Sequence, residues 1–300
     1  SITRGVMENI KRPTNPPHHQ EERAGDDMTL PINEIVCGDN VETMQTFPDD
    51  SIDMVVTSPP YDNLRTYGGH SWDFEGVAQQ LWRVIKPGGV VVWVVNDATV
   101  NGSETGTSFL QALRFMEIGF RLHDTMIYFK NGMSFPESNR YYPAFEYMFV
   151  LSSGQPAVCN QIADRKTTRG GDVKTSRMER QPNGDIRRPT REFQVSENAV
   201  RYNVWTIDTG FMKTTKDVVA YSQPAIFPES LARDHILSWS NENDIVLDPF
   251  SGSGTTAKMA RLMGRRFIGI EINPEYCEIA RKRLRQRVLE FGAMEGQGMI

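Results

Sequence analysis

Two stretches of this 300-residue chain carry residue types that could do chemistry together. The first is Thr57-Ser58-Pro59-Pro60-Tyr61, at the carboxyl end of the apolar run 52–56. An exocyclic amine on an aromatic base is a poor nucleophile, because its lone pair is delocalised into the ring. A site that holds both N–H groups with acceptors favours a tetrahedral nitrogen whose lone pair is available. Ser58 Oγ can accept one hydrogen bond and the main-chain carbonyl of Pro59 the other. Pro59 and Pro60 stiffen the turn and so preset those acceptors. Tyr61 offers a flat face on which an extruded base can stack. No strong base is needed, since an alkylated amine is acidic enough to lose its proton afterwards.

The second stretch is Asp248-Pro249-Phe250-Ser251-Gly252-Ser253-Gly254-Thr255-Thr256. A short apolar strand, 244–247, precedes it, a helical pattern over 257–263 follows, and a second strand, 266–272, carries Glu271 near its end. Strand, glycine turn, helix, strand and terminal carboxylate form a nucleoside-binding βαβ layout. Gly252 and Gly254 permit a sharp turn and a close approach of backbone to ligand. Glu271 lies roughly 20 residues beyond the turn, where a carboxylate can accept from both ribose hydroxyls. A P-loop is excluded because no Gly-Lys-Ser/Thr closes the turn, and Ala257 stands where a dehydrogenase fingerprint has its third glycine. Asp248 can meet the ammonium of an amino-acid-bearing ligand, which points to S-adenosylmethionine.

The elements around these stretches alternate strand and helix. A strand over 32–37 ends in Gly38-Asp39 and feeds a helix over 40–46. A helix from Trp72 through Ile85 stops at Lys86-Pro87-Gly88-Gly89, before a strand over 90–95. A helix over 108–117 is expected to turn Phe109, Leu110, Leu113, Phe115 and Met116 inward. Strands over 121–130 and 146–151 read as an antiparallel pair, and a strand returns at 202–207. Pro274 starts a last helix capped by Asn273; its Arg281, Lys282, Arg283, Arg285 and Arg287 read as a solvated face.

Composition narrows the class. The apolar fraction of 39% supports a substantial core, and a net charge of -5 confines any nucleic-acid contact to a local basic surface. No apolar run is long enough to cross a bilayer and no secretory signal opens the chain, which predicts a cytoplasmic setting, nucleoid-associated in a bacterium or nuclear in a eukaryote. Cys37, Cys159 and Cys277 lack metal-ligand spacing, and His18-His19 has no further ligands, so no metal is expected. That local basic surface lies in an insertion over 155–200 bearing Arg165, Lys166, Arg169, Lys174, Arg177, Arg180, Arg187, Arg188 and Arg191. By composition it is a solvated loop or a DNA-facing segment.

Taken together, the pattern resembles the amino-methylating DNA methyltransferases in the permuted order called the β group. There a Ser/Asp/Asn-Pro-Pro-Tyr segment comes first, a target-recognition region second and the glycine-rich cofactor segment last. The resemblance covers about 36–287 and implies an α/β fold: a seven-stranded, mostly parallel Rossmann-like sheet with helices on both faces and an inserted basic recognition region. It implies a tail over 1–30, a catalytic half over 31–154, recognition over 155–200, a cofactor half over 201–291 and a tail over 292–300. Asp39 matches the acid that meets the cofactor's adenine amino group. Phe227, Pro228 and Glu229 match the segment closing over its methionine end, and 145–150 matches the late strand before recognition. The nine cations then face double-stranded DNA, with a homodimer allowed.

Serine at the first motif position is typical of N4-cytosine enzymes and aspartate of N6-adenine enzymes; the expectation is cytosine N4. C5 methylation is disfavoured because no cysteine follows a proline. The alternatives are N6-adenine methylation, another methyl acceptor such as RNA or a protein side chain, a DNA-binding subunit that has lost catalysis, and a nicotinamide dehydrogenase.

Overall fold

The computed structural model describes residues 29–60, 72–131, 139–141, 143–175, 179–187, 192–222 and 226–294. The expected N-terminal tail, the end of the C-terminal one, and Tyr61 lie outside them, apart from residues 29 and 30.

The first strands are β1, Glu34–Cys37, and β2, Ile52–Thr57, joined through helix α1, Asn40–Gln45. Asp39 caps α1, its Oδ1 accepting from the Val41 and Glu42 N–H groups at 2.8 and 3.0 Å. Helix α2, Phe74–Val84, buries the stripe Val77, Ala78, Leu81 and Val84. It stops one residue short of expectation, because Ile85 already pairs with Ile52 in strand β3, Ile85–Val95. The Lys-Pro-Gly-Gly segment therefore lies within the strand, at a register irregularity rather than in a separate turn.

Helix α3, Thr107–Ile118, overturns its expected inner face. Phe109, Leu110, Leu113 and Met116 are exposed, while Ser108, Gln111, Ala112 and Phe115 are buried. The reason is hydrogen bonding. Buried Trp93 needs an acceptor for its indole N–H and finds Gln111 Oε1 at 2.9 Å. Asp97 accepts from the Ser108 N–H at 2.8 Å and its hydroxyl at 2.6 Å, which fixes the helix rotation.

Strands β4, Arg121–Asn131, and β5, Phe145–Ser152, form the expected antiparallel pair. Strand β6, Val204–Asp208, comes next, then helix α4, Glu229–Trp239; strand β7, Ile245–Asp248; helix α5, Thr255–Leu262; strand β8, Arg266–Glu271; and helix α6, Pro274–Met294. The sheet order is β1-β8-β7-β2-β3-β5-β4-β6, parallel from β1 through β3 and antiparallel at β3–β5 and β5–β4. Among the described residues the sheet has eight strands where seven are expected, with β6 on the outer edge. The βαβ unit latest in the chain thus sits between its first two strands. Cys37 pairs with Glu271, Asp248 with Gly269, and Leu247 with Val55. This order puts the carboxyl ends of β1, β8, β7, β2 and β3 side by side, where open α/β sheets bind ligands.

Residues 161–205 form a second compact unit. The chain runs out and back as an antiparallel ribbon: 165–166 pairs with 198–199, 173–175 with 192–194, and 179–180 with 186–187. Among the described residues, no helix is long and apolar enough to cross a membrane, and no group of three or more His, Cys, Asp or Glu is placed to hold a metal ion.

Candidate active site

The two motif loops meet through a direct hydrogen bond. Thr57, last residue of β2, donates its hydroxyl to Asp248 Oδ1 at 2.7 Å, and both side chains are buried. Thr256 Oγ1 donates to the Val56 carbonyl at 3.2 Å, and Asn40 Nδ2 to the Pro249 carbonyl at 3.2 Å. Residues about 200 apart in sequence are thereby locked at one sheet edge. Over that edge opens a cavity of about 740 Å³. Ser58, Pro59 and Pro60 line it, as do Asp39, Phe227, Pro228, Asp248, Pro249, Phe250, Ser251, Gly252, Thr255 and Glu271.

The glycine turn has a split physical basis. Gly252 and Gly254 both have left-handed φ, 50° and 78°, which accounts for the sharp turn. A side chain at Gly254 would strike Ala280 Cβ of α6 at 2.8 Å, so its close approach is to a helix, and it does not line the cavity. Gly252 instead donates its N–H to Glu271 Oε2 at 2.8 Å, while Asn273 N–H reaches Glu271 Oε1 at 2.9 Å. Two main-chain donors thus hold the Glu271 carboxylate at the cavity wall.

The cavity suits a nucleoside bearing an amino acid. Phe250 and Tyr276 give apolar surface, and Phe250 is fixed by Trp72, whose ring lies edge-on at 5.0 Å. The Ser251 hydroxyl is buried in the lining with no hydrogen-bond partner among the described residues. Asp248 and Glu271 supply acceptors for an ammonium and a diol.

Burial pushes the Asp248 carboxyl up to about 6, against the lowering effect of the Thr57 hydroxyl and the Phe250 N–H. A cationic ligand needs the ionised form, so below that value a proton competes with it. The cofactor dissociation constant is expected to be flat above about pH 6 and to rise about tenfold per pH unit below it. Titration calorimetry across pH tests this, and Asp248→Asn is expected to flatten the profile.

Several lining residues escaped sequence reasoning. Asn96, just after β3, and Tyr128, Lys130 and Glu146 on β4 and β5 line the same cavity. Tyr128 is the cross-strand partner of Glu146, and Lys130 Nζ reaches Glu146 Oε1 at 2.6 Å. Burial, with the Glu146 charge, raises the Tyr128 phenol well above its ordinary value and keeps it a hydrogen-bond donor. Strand ends in an α/β sheet were the available signal, since polar residues there face the ligand edge. Two expected roles are relocated. Glu229 is not in the cavity lining but bonded to Lys258, Arg283 and Thr215. Arg283 is not on a solvated face but buried.

In the ribbon unit Arg165, Lys166 and Arg169 are exposed and Lys174 is half-buried. Arg165 stacks over Tyr202 at 4.3 Å, and Arg169 pairs with Asp172 at 2.9 Å. Arg177, Arg188 and Arg191, and the side chains of Arg180 and Arg187, lie outside the described residues.

Comparison with known proteins agrees with this arrangement. The chain is 55% identical over 251 residues to the orphan methyltransferase M.BamHII of Bacillus amyloliquefaciens, covering 83% of this chain and 95% of that protein. It is 27% identical over 257 residues to the DNA adenine methyltransferase YhdJ of Escherichia coli strain K12, covering 83% and 82%. The fold is similar to that of the PvuII DNA methyltransferase (cytosine-N4-specific), with a TM-score of 0.60 at 20% identity over 82% of this chain and 84% of that one. It is also similar to the M1.HpyAVI–SAM complex, with a TM-score of 0.56 at 23% identity over 84% and 99%. The model of the DNA methylase family, the N6 and N4 methyltransferases, matches residues 52–282, and the chain belongs to that family.

Proposed function

We propose that this DNA methyltransferase methylates the exocyclic N4 of a cytosine turned out of duplex DNA. One observation carries the reading: Ser58 opens onto the cavity beside the strand that ends in Asp248, with β2 and β7 adjacent in the sheet. When bound, S-adenosylmethionine supplies an electrophilic methyl group. Asp248 and Glu271 hold its ammonium and ribose, and Phe227 and Pro228 wall the same cavity.

Ser58 Oγ and the Pro59 carbonyl then accept from the two amine N–H groups, turning the nitrogen lone pair towards the donor side. Asp39 Oδ2 is available to the adenine end, because capping occupies Oδ1. Lys130, held by Glu146 in the lining of the same cavity, supports a pyrimidine: cytosine presents its carbonyl oxygen on the edge that carries the amine, where adenine presents C–H, and a lysine can donate to that oxygen. Arg165, Lys166 and Arg169, exposed on the ribbon, are suited to phosphate.

The 27% identity to a DNA adenine methyltransferase supports N6-adenine as the second reading. Incubation with methyl-labelled cofactor and duplex DNA, then digestion to nucleosides and mass spectrometry, separates them. N4-methyl-2'-deoxycytidine is expected, and N6-methyl-2'-deoxyadenosine alone overturns the cytosine reading. Lys130→Gln is expected to raise KM for DNA about tenfold while leaving the cofactor dissociation constant unchanged.

A further inference from the structure

Behind the glycine turn two buried bases meet two half-buried acids, and none of the four lines the cavity. Asp217 precedes a short 3-10 turn, Glu229 opens α4, Lys258 lies in α5 and Arg283 in α6. The Lys258 and Arg283 side chains are 2% and 0% exposed. Lys258 Nζ donates to Asp217 Oδ2 at 2.7 Å and also to Glu229 Oε1. Arg283 Nε donates to the same Asp217 oxygen at 3.0 Å, and Nη2 to the same Glu229 oxygen at 3.0 Å. Its remaining nitrogen, Nη1, reaches the Ser253 carbonyl at 2.6 Å, the Ser253 hydroxyl at 3.1 Å and the Thr255 hydroxyl at 3.2 Å. Burial alone would push Asp217 up, but hydrogen bonds from Lys258 and Arg283 outweigh it and hold the carboxyl below its ordinary value.

Each member stands within a few residues of the cavity wall. Thr214 precedes Asp217, Phe227 and Pro228 precede Glu229, and Ser253 and Thr255 are held by Arg283 itself. The two cations balance the two anions, so the cluster is neutral as a unit, and losing one member leaves a buried charge unpaired. A planar guanidinium is the side chain that can reach two carboxylates and a turn at once; an ammonium cannot.

We infer that Arg283 is a positioning residue for cofactor binding. It clamps the Ser253–Thr255 end of the glycine turn to the 214–217 and 227–229 walls, so cofactor affinity depends on a charge cluster outside the cavity. This rests on the cofactor reading of the cavity and not on which base is methylated.

The test measures S-adenosylmethionine affinity by calorimetry and thermal stability on the same variants. Arg283→Lys keeps the charge but loses the reach to Ser253 and Thr255; it is expected to fold and to raise the dissociation constant at least fivefold. Arg283→Met is expected to be strongly destabilised. Adding Glu229→Gln restores charge balance, so the double variant should regain most of that stability while binding cofactor about tenfold more weakly than wild type. A purely structural role predicts that affinity recovers together with melting temperature. That result, or an Arg283→Lys affinity within twofold of wild type, overturns the inference. Glu271→Ala is the control: if it too leaves affinity unchanged, the cofactor reading of the cavity has failed instead.

Discussion

Ser58→Ala is expected to lower the rate of methyl transfer at saturating cofactor and DNA by about a hundredfold or more, the usual cost of losing one aligned catalytic hydrogen-bonding group. The cofactor dissociation constant should stay within about twofold, because the proposed cofactor contacts, Asp248 and Glu271, lie on β7 and β8 and do not depend on that hydroxyl. Ser58→Asp separates acceptor chemistry from mere occupancy. A carboxylate also accepts the amine N–H, so this variant should keep measurable turnover where alanine does not. Single-turnover transfer of a labelled methyl group reads the chemical step directly. A near-normal rate for Ser58→Ala would assign the amine to other acceptors.

The second large effect is expected at Glu271. Its two carboxylate oxygens already accept from Gly252 and Asn273 N–H groups at 2.8 and 2.9 Å, so the side chain both braces the turn and presents charge to the cavity. Glu271→Ala removes the acceptors offered to a ribose and strands two main-chain donors. A loss of about 2–3 kcal/mol follows from hydrogen bonds to a charged group. The dissociation constant of S-adenosylmethionine should therefore rise about thirtyfold to 160-fold, while kcat at saturating cofactor changes little. Glu271→Gln should fall between, since the amide keeps one oxygen for one N–H. Calorimetry on both variants checks the order.

The two motif loops were legible because each is a short run of sequence. Ser58, the glycine turn, Asp248 and Glu271 were recognisable from spacing alone, and the sheet places them at adjoining strand ends. What could not be read were partners distant in sequence. The pattern of α3 reads as a helix buried through Phe109, Leu110, Leu113 and Met116, yet Gln111 and Ser108 turn inward to serve Trp93 and Asp97. The one-dimensional pattern does not reveal that a buried indole needs an acceptor. Arg283 sits in a run of cations that resembles a wetted surface, and only Asp217 and Glu229, 66 and 54 residues away, explain its burial. Glu229 was misread for the same reason. Lys130 and Glu146 carry no motif, and their meeting depends on the register of β4 against β5.

The strand order has a consequence for biogenesis. On a ribosome β1 and β2 emerge early, but the two strands that lie between them are made more than 180 residues later than β2. Until then β2, apolar on both faces, has an unpaired hydrogen-bonding edge, the kind of surface that recruits other chains. The sheet thus cannot close until β7 and β8 have been made. Such nonlocal pairing slows folding, and truncations before Glu271 should aggregate.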